Sequence, residues 1–384
     1  MKYAFVLSKE IIELAAAEVI SLTNPKNHHL ANNLLILEVK NEEVINPLVE
    51  RLAYTNSIHS LLFDSAYNDF IEKFKDFDWQ SIYKGSFCIR VNKLNTIKEI
   101  SITENPIKNN QIKGNKRLKN TNNASKNNEN KNENSQKNEE IQKIFSEKYL
   151  ASFVWRSLKK PKVDLENPST QITVFLDEKK VYCCLLLKNL EHYFQSRRPH
   201  LRPAPSPISL HPKLARAMVN LTGAKEGEII LDPFCGSGGI LLEAGLMGMK
   251  VEGYDLNRKM VWKSMTNLKH YGIKYNLKVK NFFDIDKKYK YIAADLPYGL
   301  NACIMENVRV TKTNRKEITP FVEEFYSKIV KKLEKIISKR AVIIFPNYSN
   351  YKKLIKNSRL KIKKEFSSYV HGNLTRKILV LERK

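Results

Sequence analysis

Short apolar runs alternate with amphipathic segments through the second half of the chain, residues 213–384. Compact apolar runs predict buried strands, and apolar residues spaced three and four apart predict helices. The predicted order is helix "PKLARAMVNLTG", strand "EIILD", helix "GGILLEAGLMG", strand "KVEGYD", helix "RKMVWKSMTNLKHYG", strands "LKVKNFFD" and "YKYIAAD", helix "FVEEFYSKIVKKLEKIISK", strand "RAVIIF" and two strands around "HGN". This alternation is typical of an α/β fold with a mostly parallel sheet covered on both faces.

The first 196 residues show a mixed pattern of strands and helices. Residues 1–65 predict strand, helix, strand and helix, with the last helix at "VINPLVERLAYTNSIHSLLF". Residues 66–196 predict strands at "SFCIRVNKL", "TQITVFLD" and "KVYCCLLLKNL" and a helix at "IQKIFSEKYLASFVWRSL". The Asn-rich residues 104–140 hold too few apolar side chains for a core, which predicts a disordered insertion. The proline-rich residues 197–212 predict a linker.

Charge and cysteine content narrow the class of protein. The 66 Lys and Arg against 40 Asp and Glu give a net charge of +26, which indicates a polyanionic partner, nucleic acid first. A solvated, Lys-rich surface is the alternative explanation. The five cysteines form no CxxC pair, which favours a reducing compartment and argues against a structural metal site. No segment has the length and apolarity of a signal peptide or a membrane span, so we expect a cytoplasmic protein.

Acidic residues end four consecutive predicted strands of the second half: Asp232, Asp255, Asp284 and Asp295. In parallel α/β sheets, ligands bind beyond the carboxyl ends of the strands, where these acids would meet. Asp is also a common helix cap, which accounts for one or two such positions without a ligand. The loop "CGSGG" after the first acid lets a ligand approach the backbone just before a helix N-terminus.

These residues favour one kind of ligand. The glycine loop lacks the last glycine of the dinucleotide fingerprint, because Leu241 takes that place, so NAD is a weak interpretation. Asp255 follows Asp232 at a distance suited to an acid that binds a ribose diol. Asp284 is suited to accept a hydrogen bond from an adenine amino group. A ligand with adenine, ribose and a cationic amino-acid tail fits this set, and S-adenosylmethionine is such a ligand.

The stretch "ADLPYGL", residues 294–300, has two interpretations. Asp, Pro and Gly are common in turns, so a plain turn is one of them. The other is an acceptor site, in which the Asp295 carboxylate and the Leu296 carbonyl bind the two protons of a base amine and direct its lone pair toward a methyl group. In that site Pro297 fixes the carbonyl, and Tyr298 stacks on an extruded base.

Several motifs resemble those of known families. "DPFCGSGGILLEAGLMG", "GYDL" and "DLPYG" are similar to motifs of the class I (Rossmann-like) methyltransferases that modify amino nitrogens of bases. "LHPKLARAMVNLTG" and "RRPHLRP" resemble the archaeal tRNA guanine-10 N2-methyltransferases. "GSFCIRV", "KVDLENPSTQITVFLD" and "YFQSRRP" resemble a THUMP domain, an RNA-binding module. The resemblance covers nearly the whole chain except residues 104–140. Two positions depart from the family pattern: Leu296 replaces the first proline of Asp-Pro-Pro-Tyr, and no glycine follows the His-Pro of "SLHPKL".

The resemblance implies a seven-stranded, mostly parallel methyltransferase domain at residues 213–384, after a ferredoxin-like region at 1–65, a THUMP domain at 66–196 and a linker at 197–212. It implies S-adenosylmethionine as the cofactor, no metal, and tRNA as the partner; we expect a monomer. The residues implied for catalysis are Asp295, Leu296, Pro297 and Tyr298; for cofactor binding Asp232, Phe234, Cys235, Gly236, Ser237, Gly238, Asp255, Leu256, Phe283 and Asp284; and for RNA binding Arg90, Lys93, Arg197, Arg198 and Arg202.

The expected function is cytoplasmic methylation of the N2 amine of guanosine 10 of tRNA, with one or two methyl groups added. The nearest alternative is the related enzyme that acts on guanosine 6 of tRNA. A DNA amino-methyltransferase is a second alternative, because Asp-x-Pro-Tyr also serves adenine and cytosine, although such an enzyme has no need of a THUMP domain. A tRNA-binding protein that has lost activity at Leu296 is the third.

Overall fold

The computed structural model describes residues 1–39, 42–94, 143–207, 209–298, 303–305, 308–309 and 315–384. The disordered insertion predicted at 104–140 lies outside these residues. The chain forms two compact units. The first unit comprises Met1–Val6, Asn27–Glu38 and Ser57–Asn189, and the second unit comprises Leu7–Lys26, Val39–Asn56 and Leu190–Lys384. The domain boundaries expected after residues 65, 196 and 212 stay predictions.

Strands and helices alternate through the second unit, whereas strands dominate the first. The strands are β1 (Lys2–Leu7), β2 (His28–Ala31), β3 (Leu34–Glu38), β4 (Thr55–Ser65), β5 (Phe87–Lys93), β6 (Thr170–Leu176), β7 (Val181–Asn189), β8 (Ile229–Asp232), β9 (Lys250–Asp255), β10 (Tyr275–Val279), β11 (Tyr289–Asp295), β12 (Cys303–Met305), β13 (Val308–Arg309), β14 (Ile337–Pro346), β15 (Leu360–His371) and β16 (Leu374–Arg383). The helices are α1 (Ile12–Thr23), α2 (Leu48–Arg51), α3 (Tyr67–Asp76), α4 (Glu147–Ser157), α5 (Pro212–Thr222), α6 (Gly239–Leu246), α7 (Arg258–His270), α8 (Arg315–Ile336) and α9 (Tyr351–Lys356).

A seven-stranded sheet of order β2-β3-β1-β4-β7-β6-β5 forms the first unit. Strands β5 and β6 are parallel, whereas β7 is antiparallel to both of its neighbours, β4 and β6. Helices α3 and α4 cover this sheet, and they bury Phe70, Phe74, Leu150 and Val154 in one apolar cluster. Strands from the predicted regions 1–65 and 66–196 therefore share one continuous sheet.

The helix predicted at "VINPLVERLAYTNSIHSLLF" is wrong for most of its length. Only the short α2 is helical, and β4 follows it from Thr55 to Ser65. The apolar spacing across Pro47 suggested a helix, but Thr55, Ile58 and the aromatic Phe63 are residue types that favour a strand. Pairing with β7 along nearly the whole of β4 then decides the conformation.

The second unit contains the predicted α/β sheet. Its strand order is β10-β9-β8-β11-β14-β16-β15, with the first five strands parallel to one another and β16 antiparallel to both of its neighbours, β14 and β15. Helices α8 and α9 pack on one face, in an apolar cluster with Leu231, Ile292 and Ile343. Side chains alternate across a strand, so the equally buried Ile230 and Val342 lie on the other face, and α5 contacts β11 and β14.

Local sequence signals place the helices that approach the carboxyl ends of the strands. The imidazole of His211 caps α5 by accepting the N–H of Lys213 at 3.3 Å, and Gly223 ends that helix in the left-handed conformation, with φ +73°. Asn257 caps α7 by accepting the N–H of Lys259 at 2.9 Å. Among the described residues, no helix has the length and apolarity needed to cross a membrane.

Candidate active site

Acidic residues end three adjacent parallel strands of the second unit. Asp232 is the last residue of β8, Asp255 of β9 and Asp295 of β11. Strand β8 lies between β9 and β11 and is parallel to both, so the three carboxylates lie along the same edge of the sheet. This is the edge at which parallel α/β sheets bind their ligands.

The fourth acid is not at a strand end, which corrects the expectation for Asp284. Strand β10 ends at Val279, which is paired with Asp255, the last residue of β9, and the Lys280 N–H then donates to the Asp255 carbonyl at 3.1 Å. Asp284 follows in a short 3-10 turn, Phe282–Asp284, which the side chain of Asn281 caps by accepting the N–H of Phe283 at 3.0 Å. The Asp284 side chain is exposed.

The glycine loop after β8 is bound directly to the acid at the end of β9. The N–H of Gly236 donates to one carboxylate oxygen of Asp255 at 2.9 Å, and the N–H of Asn257 donates to the other at 2.8 Å. Gly236 and Gly238 have φ values of +51° and +82°, in the left-handed region that favours glycine. A Cβ atom added at Gly236 would meet nothing within 4 Å, so this side of the loop is open to a ligand.

Burial dominates the electrostatics of the first two acids. Burial raises the pKa of Asp255, and the N–H groups of Asn257 and Gly236 partly oppose this shift. The pKa of Asp232 lies well above its usual range, because the side chain is buried and the negative charges of Asp255 and Asp295 are near; the N–H of Phe234 acts in the opposite direction. Three carboxylates therefore share a region of low solvation, which favours a ligand that brings hydrogen-bond donors or positive charge.

The turn after β11 is held by a network of side chains. The Tyr298 hydroxyl donates to the Asp295 carboxylate, and Nε of Arg376 donates to the same hydroxyl at 3.0 Å. The Leu296 N–H donates to the Ile344 carbonyl of β14 at 3.3 Å, and the Leu296 side chain is 2% exposed. The residue that replaces the usual proline is thus a core residue whose backbone continues the sheet.

Asp295 has a pKa of about 6, above its ordinary value. Burial raises it, whereas the positive charge of Arg376 and the hydrogen bond from Tyr298 lower it. Burial and the Asp295 charge also raise the pKa of the Tyr298 hydroxyl, so this group stays protonated and can only donate to the carboxylate.

The other residues expected to bind the cofactor differ in how far their side chains are exposed to solvent. Leu256 is 45% exposed beside Asp255, whereas Cys235 and Ser237 are 4% and 5% exposed. Burial raises the pKa of the Cys235 thiol well above its ordinary value. The rings of Phe234 and Phe283 are partly buried against the apolar cluster under the site. Cys235 and Ser237 can therefore offer a ligand their backbone, and Leu256 its side chain.

The residues expected to bind RNA differ in their exposure to solvent. Lys93 and Arg198 are exposed, and Arg90 is partly exposed while bonded to Glu147 and to the Leu165 carbonyl. Arg197 binds the buried Glu243 at 3.0 Å.

Arg202 is 3% exposed, and it donates to the Arg197 carbonyl and to the Ser209 hydroxyl, each at 3.0 Å. Its burial leaves no surface for a phosphate contact, so the RNA role expected of Arg202 does not fit its position.

Sequence reasoning missed the residues that reach this turn from other elements. Arg376 lies on β16, 78 positions from Tyr298. The hydroxyl of Tyr326, on α8, donates to the Pro297 carbonyl at 2.9 Å, and the hydroxyl of Tyr348 donates to the Tyr298 carbonyl. No local motif marks these residues, because the fold brings them to the turn from distant parts of the chain: in the sheet β14 lies beside β11, and β16 lies beside β14. Among the described residues, no cluster of His, Cys, Asp and Glu has the arrangement of a metal site.

Two family models match this chain. A model described as an RMKL-like methyltransferase domain matches residues 199–378, which include the glycine loop and the turn after β11. A model described as a DNA methylase matches residues 54–265, which end before that turn. Both describe methyltransferases, in agreement with the expected fold.

Relatives match over a longer range. The tRNA (guanine(10)-N2)-dimethyltransferase of Methanothermobacter thermautotrophicus is 30% identical over 100% of both chains. The enzyme of the same name from Pyrococcus abyssi is 28% identical over 96% of both chains. The crystal structure of TrmN from Thermus thermophilus shares 16% identity over 100% of both chains, with a TM-score of 0.47. On the strength of its full-length match, the chain belongs to the family of archaeal tRNA (guanine(10)-N2)-dimethyltransferases.

Proposed function

We propose that this protein transfers methyl groups from S-adenosylmethionine to the N2 amine of guanosine 10 of tRNA, first one and then a second. The observation that carries this proposal is the Asp295 carboxylate followed directly by the Leu296 carbonyl at a strand end, one strand away from the glycine loop. The names of the relatives over the full chain length support the choice of tRNA, of guanosine 10 and of two methyl groups.

The residues at this edge fit S-adenosylmethionine. Each Asp255 carboxylate oxygen accepts one backbone N–H and keeps a lone pair for a ribose hydroxyl. Gly236 faces open space, where the ligand can lie against the backbone, and the exposed Leu256 offers apolar surface to an adenine ring. The exposed Asp284 can accept a hydrogen bond from the adenine amino group. When bound, S-adenosylmethionine supplies an electrophilic methyl group.

The turn supplies the other half of the chemistry. The lone pair of the guanine N2 amine is delocalised into the ring, so the amine is a weak nucleophile. The Asp295 carboxylate and the Leu296 carbonyl accept hydrogen bonds from the two N–H groups of the amine, which orients that lone pair. As the new bond to carbon forms, positive charge develops on N2; the ionised Asp295 stabilises this charge and can accept the proton that the methylated amine then loses. Neither a nucleophilic side chain nor a metal is required for this step.

The Tyr298 hydroxyl donates to one of the two carboxylate oxygens of Asp295. We infer that the entering amine replaces this hydroxyl. The Tyr298 ring is then free to stack on the guanine base, as aromatic side chains do with extruded bases.

The first unit is the proposed RNA-binding module. The family resemblance assigns a THUMP domain to this region, and the exposed Lys93 lies at the end of β5 in its sheet. The net charge of +26 favours association with a tRNA backbone. We further propose that the protein acts as a monomer in the cytoplasm.

Nucleoside mass spectrometry tests the proposal. Unmodified tRNA transcripts and a DNA duplex are incubated with the protein and S-adenosylmethionine, then digested. The proposal predicts N2-methylguanosine and N2,N2-dimethylguanosine from tRNA, mapped to nucleotide 10, and no product from DNA. Modification at nucleotide 6 identifies the related enzyme, methylated adenine or cytosine in DNA identifies the DNA methylase, and tRNA binding without any product identifies a non-catalytic protein.

A further inference from the structure

The row of hydrogen bonds between β11 and β14 stops at the carbonyl that the proposed reaction uses. Asp295 is paired with Ile344, and the next bond runs from the Leu296 N–H to the Ile344 carbonyl at 3.3 Å. In a parallel ladder, each residue bonds alternately forward and back to the same neighbour. The following bond would therefore run from the N–H of residue 346 to the Leu296 carbonyl. Residue 346 is Pro346, which has no N–H.

Pro346 does not simply end strand β14. On the opposite side, pairing with β16 continues past it, because Pro346 is paired with Arg376 and the Asn347 N–H donates to the Thr375 carbonyl at 3.0 Å. The Thr375 N–H in turn donates to the side chain of Asn347 at 3.0 Å. A proline within a central strand is unusual, since it removes a ladder bond. Here it removes a bond only on the side that faces β11.

The two carbonyls that follow that of Leu296 each accept a hydrogen bond from a tyrosine hydroxyl. The Pro297 carbonyl accepts the Tyr326 hydroxyl at 2.9 Å, and the Tyr298 carbonyl accepts the Tyr348 hydroxyl. Among the residues that the structure describes, no hydrogen bond reaches the Leu296 carbonyl. The surroundings thus restrain the second and third carbonyls of the turn and leave the first one available.

We propose that Pro346 is a positioning residue, which keeps the Leu296 carbonyl free to accept a hydrogen bond from the substrate amine. This inference rests on the proposed function, because it assigns that carbonyl to the amine. An N–H at position 346 would bind the carbonyl in the plane of the sheet and weaken its contact with the amine. The Leu296 carbonyl therefore lacks its partner in the ladder, and the substrate amine supplies the hydrogen-bond donor instead.

The variant Pro346→Ala tests this directly, because it introduces the N–H with little added volume. We expect the single-turnover methylation rate at saturating S-adenosylmethionine to fall about tenfold, on the order expected when one contact to the reacting group is weakened. The affinities for S-adenosylmethionine and for tRNA should stay within about twofold of the parent values. Hydrogen exchange should show a protected amide at position 346.

An ester analogue separates the N–H from the proline ring. Lactic acid at position 346 carries the same methyl side chain as alanine but has an oxygen in place of the N–H, so it should restore a rate within about threefold of the parent. The inference is overturned if Pro346→Ala has a protected amide and the parent rate, if that amide exchanges freely, or if the alanine and lactic acid variants are equally slow. A parent protein that methylates no guanosine contradicts the proposed function instead, whereas amide protection still reports on the ladder.

Discussion

Asp295 is under opposing influences, with burial raising its pKa and two neighbouring groups lowering it. The balance leaves a carboxylate that is ionised at neutral pH yet weakly solvated, which suits it to bind an amine that becomes positively charged. Leu296 contributes through its backbone, because its side chain belongs to the core. The place of Asp295 at a strand end could be predicted from "YIAAD", and the catalytic role of both residues stays a prediction. Arg376 could not be predicted, since 78 positions separate it from Tyr298 and no motif marks it.

Substitutions at the turn should separate side-chain from backbone roles. Asp295→Ala removes an acceptor of the developing positive charge, so the single-turnover rate should fall about a hundredfold or more. Leu296→Pro keeps the carbonyl, and its rate should stay within about tenfold of the parent, because its side chain does not contact the amine. The measurement is methylation of unmodified tRNA at saturating cofactor, with the melting temperature recorded for each variant. Equal rates for the Asp295→Ala variant and the parent would leave the acid as a turn residue only.

The pH dependence of the rate should report on Asp295. The reaction requires the ionised carboxylate, so kcat/KM for tRNA should be lost as the pH falls through about 6, the pKa of this group. Arg376→Gln removes a charge that lowers this pKa, which should move the acidic limb to higher pH. Arg376→Lys keeps the charge and should leave the limb near its parental position. The charged and titratable groups facing Asp295 are Asp232, Tyr298, Tyr326 and Arg376. A limb at the same pH in the parent and Arg376→Gln proteins would exclude this electrostatic role.

At the scale of elements, the alternation of strands and helices from residue 213 onward was predictable, because each run matches one periodicity. Two other elements were not. The strand β4 was predicted as a helix, and pairing with β7 overrides its apolar spacing. Asp284 was expected at a strand end, but β10 ends at Val279 and Asp284 lies in the 3-10 turn that follows. For β4 the deciding information is the position of a partner strand, which periodicity within one segment does not contain.

The glycine loop provides an element-scale prediction with a matched control. Gly236 and Gly272 have φ values of +51° and +69°, and a Cβ atom at either would meet nothing within 4 Å. Gly236→Ala and Gly272→Ala should therefore each lower the free energy of unfolding by a similar amount, about 1 kcal/mol. Only Gly236 lies in the loop bonded to Asp255, so its variant should bind S-adenosylmethionine at least tenfold more weakly. Calorimetry that finds the same loss of affinity in both variants would argue against a cofactor at this loop.

At the scale of the whole molecule, the charge of +26 predicts a polyanionic partner but not which cations contact it. The cations differ in burial. Arg198 is exposed, whereas Arg202 is 3% exposed and donates a hydrogen bond to the backbone. Both lie in the same proline-rich stretch, and the sequence alone treats them alike. Their different environments arise from packing within the second unit, which composition does not encode.

These two arginines should respond differently to substitution by glutamine. Arg198→Gln should weaken tRNA binding and reduce the slope of log K against log salt by about 1, because one phosphate contact is lost. Arg202→Gln should keep that slope and instead lower the free energy of unfolding by about 1–3 kcal/mol, because a buried hydrogen-bonded group is lost. Salt titrations of tRNA binding and thermal unfolding of each variant provide the comparison. A reduced salt slope for Arg202→Gln alone would reverse the assignment.

The central claim is that Asp295, at the carboxyl end of β11, binds the N2 amine of guanosine 10 while that amine is methylated from a cofactor held at the ends of β8 and β9. The most direct measurement is single-turnover transfer of labelled methyl groups to two unmodified tRNA transcripts that differ only at nucleotide 10, one with guanosine and one with adenosine. The parent protein is predicted to label only the guanosine transcript, on N2, and Asp295→Ala to label it at least a hundredfold more slowly. Equal labelling of both transcripts, or parental labelling by Asp295→Ala, would contradict the claim.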